Sequence, residues 1–349
     1  MNQKSLQTLA LRGILTTVQP VTVSPPGVAH FNDARRDDVP KRMPRAGESL
    51  KATRYIPAAT LRHIVRDGIA TIATRILQER GTSMPLPALL VLNKGFTKMK
   101  RNGAKGKENG ANKEKQSANK QNSKSFFEKL NQERLIREKN PLLSLLGCWE
   151  IPSELRVGNA IPSNDLTNTE TLAVTPGVVR KPLNDAVSAT LQDADLAEYH
   201  EIIASSAEKD SKDTGLIHYA PVGWEEIPAG VDCDWSIQVH RADAFKVGAV
   251  LAALRLFASD PRIGGHAALG RGEIAIRLSA DSIVSTLLDV PMCTPWGEVA
   301  VARGTFNVEG EKLKEALSIF DEEARAGFPN CDFQVIPVVK EDDVGSVQN

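Results

Sequence analysis

Four glycines fall within the first nine residues of GGHAALGRGEIAI, residues 264–276, beside Arg262, His266 and Arg271. Glycines so closely spaced let one backbone approach another, or let bare amides approach an anion. A nucleoside-triphosphate loop would need GxxxxGK[ST] between a strand and a helix. Here the loop follows a helix, precedes a strand, and has Arg271-Gly272 in place of Lys-Ser/Thr. The GxGxxG spacing of dinucleotide folds is also missing. Two readings remain: a tight structural turn, or a seat for an extended anion formed by Gly264, Gly265, His266 and the flanking arginines. A second basic group, Arg62, His63 and Arg66, stands at the start of a helical stretch. Free amides and the positive dipole end would make that place a phosphate seat. The alternative is an exposed basic face offset by Asp67.

Other chemistries find little support. Cys148, Cys233, Cys293 and Cys331 form no CxxC pair, and the six histidines are dispersed. No metal, no cofactor and no nucleophile–base constellation is expected. Apolar content of 41% and charged content of 25% describe an ordinary globular chain of 349 residues. Net charge is zero, so any polyanion must be met by locally concentrated basic residues. No apolar run reaches the length of a membrane span, and the N-terminal arginine comes too early for a signal-peptide core, so a cytoplasmic protein without membrane partners is expected.

The elements that must position these groups follow from periodicity. LALRGILTT, residues 9–17, alternates like a strand. YIPAATLRHIVRDGIATIATRILQERG reads as a helix with Leu61, Ile64, Val65, Ile69, Ile72 and Ile76 on one face, Pro57 in its first turn and Gly81 past its end. Residues 97–125 are rich in lysine and asparagine and nearly devoid of large apolar side chains, which predicts a mobile loop, either solvated or lying on a polyanion. NPLLSLLG is a short apolar turn, followed by a strand around Leu155 and Val157. WSIQVHRA places Trp235, Ile237 and Val239 on one strand face; an aspartate-capped helix follows, and then a strand with Ile274, Ile276 and Leu278 inward. EKLKEALSIFDEEARAG is an amphipathic helix. Two β-α-β units in series predict an α+β fold of the ferredoxin-like plan. TLAVTPGVVRKPLND reads as a hairpin about Pro176-Gly177.

Three of these segments resemble motifs of CRISPR-associated RAMP proteins. YIPAATLRHIVR resembles their IPGSSLRGxLR helix, NPLLSLLG their DPxxxLFG element, and GGHAALGRGEIAI their glycine-rich loop, all in the expected order. Ala58, Ala59 and Thr60 replace the usual glycine and serines, and Leu146 stands where phenylalanine precedes the glycine. Chain length and a long interior insertion look most like the guide-RNA-binding backbone subunit of multi-subunit effectors, the type IV version in particular. The resemblance implies a palm (1–80, 150–160 and 231–349), a finger insertion at 81–149 and a thumb insertion at 161–230. It further implies copies polymerised along a guide (cr)RNA, contact with other effector subunits, and a target nucleic acid met by base pairing. Arg54, Arg62, His63, Arg66, Arg262, Gly264, Gly265, His266 and Arg271 would bind RNA. Val178 and Val179 would be the thumb wedge, with Arg180 and Lys181 on phosphates. No catalysis is expected. The competing reading is an RNA-cleaving subunit using Asp33, Asp37 or Asp38 of the first loop.

Overall fold

The computed structural model describes residues 6–22, 42–44, 52–95, 126–148, 151–163, 174–175, 197, 224–264, 270–285 and 292–337. Strand β1 (Leu6–Thr17) is followed by the short β2 (Arg42–Pro44) and β3 (Ala52–Arg54), then α1 (Ala58–Glu79), α2 (Leu86–Lys94), α3 (Phe126–Lys139) and α4 (Pro141–Leu146). Next come β4 (Leu155–Val157), β5 (Ile161–Pro162), β6 (Val174–Thr175), β7 (Trp224–Glu225), β8 (Asp232–His240) and α5 (Ala244–Phe257). The chain finishes with β9 (Ile274–Ser285), β10 (Met292–Ala302), β11 (Thr305–Glu309) and α6 (Glu311–Arg325).

The main sheet has the order β11-β10-β9-β1-β8-β4, every neighbouring pair antiparallel, with β5 also on β8. Mixed helices and an antiparallel sheet make the fold α+β. Alternation decides the two faces of the sheet. On β1, Leu9, Leu11 and Leu15 are fully buried, while Arg12 between them is exposed. On β8, Cys233, Trp235, Ile237 and Val239 are buried, and Asp232 and Asp234 are exposed. The buried faces meet the helices; the opposite face carries the exposed Arg12, Asp232 and Asp234. Burying each such leucine or isoleucine contributes about 1.5–3 kcal/mol.

Gly13 explains how β1 and β9 come together. A Cβ there would lie 2.2 Å from the Arg277 carbonyl oxygen. Helix α1 starts after Pro57 and stops before Gly81, whose φ of 73° lies in the left-handed region. Helix α5 is capped as its sequence suggests: Asp243 Oδ1 accepts a 2.9 Å hydrogen bond from the Lys246 amide. Close helix contacts follow from small residues. A Cβ on Gly68 of α1 would meet Ala253 Cβ of α5 at 2.8 Å.

The sheet is wider than the four strands expected. Strands β10 and β11 form a hairpin across Arg303-Gly304 and extend the sheet beyond β9. Their inward residues, Val299, Val301 and Val308, alternate as strand residues should. A register shift between Pro295 and Gly297 interrupts the pattern. The hairpin expected about Pro176-Gly177 lies mostly outside the described residues; Val174–Thr175 pairs with Trp224–Glu225.

Candidate nucleic-acid interface

The first turns of α1, the end of α2 and strand β4 enclose a cleft of about 820 Å³. Its described lining includes Arg62, His63 and Arg66 from α1, Lys94 from α2 and Arg156 from β4, and none of the described lining residues is a carboxylate. These five residues divide by what their nitrogens do. Arg66 is buried, and both terminal nitrogens are occupied. Nη1 donates to the carbonyls of Val91 (2.8 Å) and Leu92 (2.9 Å); Nη2 donates to those of Leu146 and Gly147 (2.5 and 2.7 Å). These carbonyls lie in the last turns of α2 and α4, at the negative ends of the helix dipoles; that of Val91 also accepts from the Gly95 amide at 2.9 Å. Burial, and secondarily the charge of Arg62, pulls the Arg66 guanidinium down to about 10. Arg62 also serves the end of α4, donating from Nη2 to the Leu146 carbonyl at 2.7 Å.

The arginines read from sequence as phosphate ligands therefore fasten α1 to α2 and α4. Helix α4 is prepared for this: Asn140 Oδ1 accepts from the Leu143 amide at 3.0 Å, and Gly147 ends the helix at φ 65°. The first amide of α1 is occupied as well, because Ala58 N donates to Asn159 Oδ1 at 2.7 Å. His63, Lys94 and Arg156 are exposed and make no hydrogen bond or ion pair among the described residues. Lys94 and Arg156 are absent from the sequence-derived set. The available signals were slight: a lysine before the left-handed Gly95 at φ 79°, and the outward residue of Leu155-Arg156-Val157.

His63 also borders a second cleft, of about 360 Å³, between α1 and α5; Arg262 and Gly264 lie on its far side. The start of the glycine-rich loop is fixed by main-chain bonds. Ile263 N donates to Gly272 O and Gly272 N to Pro20 O, each at 2.9 Å. A Cβ on Gly272, at φ 84°, would sit 2.1 Å from the Ile263 oxygen, so this glycine answers to close packing. Arg271 Nη1 lies 2.8 Å from Oε2 of the fully buried Glu226 side chain, and Arg262 Nε lies 3.3 Å from Asp260 Oδ1. Gly264, at φ 78°, is exposed. Gly265 and His266 lie outside the described residues, as do Val178, Val179, Arg180, Lys181, the first-loop Asp33, Asp37 and Asp38, and residues 97–125. Arg54 falls on β3, opposite Arg42.

Among the described residues, no group of three His, Cys, Asp or Glu side chains could hold a metal ion, and no helix is long and apolar enough to cross a membrane. Burial pushes the Cys233 and Cys331 thiols up to about 12.

No protein-family model matches the sequence, and no curated protein does. Among solved structures, the chain is similar to one chain of a structure named "Type IV-B CRISPR Complex", with a TM-score of 0.34 and 14% identity. That likeness covers 82% of this chain and 93% of the other.

Proposed function

We propose that this protein is a guide-RNA-binding backbone subunit of a multi-subunit CRISPR effector, built on a ferredoxin-like palm and without a catalytic role of its own. One observation carries the reading. Arg62 and Arg66, from the segment that resembles the RAMP helix, hydrogen-bond the Leu146 and Gly147 carbonyls of the segment that resembles the DPxxxLFG element. Two motifs about eighty residues apart are thus parts of one device, which is what shared ancestry of the pair requires. Elements β1, α1, β4, β8, α5 and β9 follow one another as β-α-β-β-α-β and pair in the order β9-β1-β8-β4, which fits the ferredoxin-like plan.

The chemistry of the sheet face away from the helices agrees with gripping a backbone rather than reading letters. Thr8, Ala10, Arg12 and Ile14 of β1 stand in register with His240, Gln238, Ser236 and Asp234 of β8. No phenylalanine, tyrosine or tryptophan occupies these positions, so the described face of β1 and β8 carries none of the rings that stack bases in RRM proteins. Sequence recognition then falls to base pairing by the guide. Copies stacked along that guide, other effector subunits and a paired target nucleic acid complete the proposed assembly.

Purification without nuclease, followed by absorbance at 260 and 280 nm and by sizing, tests this. A large particle holding RNA of uniform length is expected; a monomer free of RNA that ignores added RNA would overturn the proposal. Complementary RNA offered with Mg²⁺ should stay intact, and regular cuts would reassign the chain to the RNA-cleaving class.

A further inference from the structure

Resting on that reading, we infer that the cleft between α1, α2 and β4 seats two phosphodiesters of the bound RNA strand, one on Lys94 and one on Arg156, with Arg66 as the positioning residue behind them. The roles follow from what each cation already does. Arg66 has spent its terminal donors on four main-chain carbonyls and is buried. Lys94 and Arg156 are exposed, come from separate elements, and point no donor at any described acceptor. Placing like charges around one concavity is unfavourable without a counter-charge, and none of the described lining residues is a carboxylate. An anion from outside fits that deficit, and a phosphodiester is the anion an RNA strand presents at every step.

Arg66 fixes the spacing of the pair. By holding the carbonyls of Val91 and Leu92 it anchors the end of α2, and Lys94 is two residues further on. By holding those of Leu146 and Gly147 it anchors the turn that leads into β4, where Arg156 stands. Both phosphate contacts are therefore referred to a single buried guanidinium. An argument from residue type alone would give Arg66 the contact itself; its engaged donors assign it the support.

The test is the salt dependence of binding by the full chain, freed of co-purified RNA, to a fluorescently labelled single-stranded RNA of about thirty nucleotides. For single strands, each neutralised phosphate contributes about 0.7 to the slope of log affinity against log salt. The K94Q/R156Q variant should lower that slope by about 1.4, so that between 50 and 200 mM salt it loses about sevenfold less affinity than the parent chain. The charge-conserving K94R/R156K variant should restore the slope. Circular dichroism and melting confirm the fold; should the double variant not fold, K94Q alone carries the test with an expected decrease of about 0.7. A parent chain that binds RNA while K94Q/R156Q keeps the full slope overturns this site and leaves the RNA-binding reading standing. A parent chain that binds no RNA overturns that reading instead.

Discussion

A guanidinium can be buried only where acceptors meet its donors, and Arg66 meets four carbonyls at the ends of two helices. Replacing it by methionine keeps much of the volume and strands the Leu92 and Gly147 carbonyls, since that of Val91 keeps the Gly95 amide and that of Leu146 keeps Arg62. Each unsatisfied buried acceptor costs about 1–3 kcal/mol, so Arg66→Met should lower unfolding free energy by about 2 kcal/mol or more, read as a lower urea midpoint. Arg66→Lys should recover only part of it, because a point charge cannot serve two separate helix ends as a planar fork does. This role was hidden in the sequence. Helical periodicity marked Leu61, Ile64, Val65 and Ile69 as the inward face, and all four are buried. It left Arg62, His63 and Arg66 together on the flank, where residue type says phosphate. Only the arrival of α2 and α4 separates an exposed His63 from a buried Arg66. Acceptors that come from residues 91–92 and 146–147 leave no trace within α1 itself.

At the scale of elements, close approach of helices depends on two glycines. Gly248 of α5 lies under α6, where a Cβ would come within 2.1 Å of the Ala316 carbonyl oxygen and 2.7 Å of Phe320 Cβ. Alanine normally favours a helix over glycine, but here the backbone of α6 would have to move. Gly248→Ala should therefore destabilise by about 1–3 kcal/mol, the usual cost of overpacking, in place of the stabilisation that helix propensity alone predicts. Chemical denaturation of the single variant decides the sign. The elements themselves were largely legible: β1, α1, β8, α5, β9 and α6 follow alternation, periodicity and the Asp243 cap. The β10–β11 hairpin is poorly legible although Val299, Val301 and Val308 alternate inward. Pro295 and the irregularity beside it break the pattern in mid-strand, and a proline there argues against a paired strand when the edge geometry is unknown.

Across the molecule, the larger of two apolar clusters among the described residues runs from Leu9 of the first strand to Phe333 beyond the last helix. The two halves of the chain interleave in it, since β1 lies between β8 and β9. Neither half can keep its buried face covered alone. A chain ended after Ser285 loses β10, β11 and α6, and with them Phe320, which stacks on Phe245 of α5 at 5.5 Å between ring centroids. Such a truncation should lose cooperative unfolding and aggregate, observed as the absence of a sharp melting transition and by sizing. The strand order was within reach of sequence once two β-α-β units were recognised. The basic cleft was not, because Lys94 and Arg156 are sixty-two residues apart and each is unremarkable in its own segment.

The stitches around the far end of β1 carry a separate consequence. Thr22 bonds Glu226 at 3.1 Å, Ser163 N bonds Asp232 O at 2.9 Å, and Gly272 N bonds Pro20 O at 2.9 Å. Three excursions of the chain thus set out from, or come home to, one knotted margin, and the strands behind it keep their alignment whatever length lies beyond. Because closing a longer loop adds little entropy cost, lengthening such an excursion should reach the sheet only if it disturbs that margin.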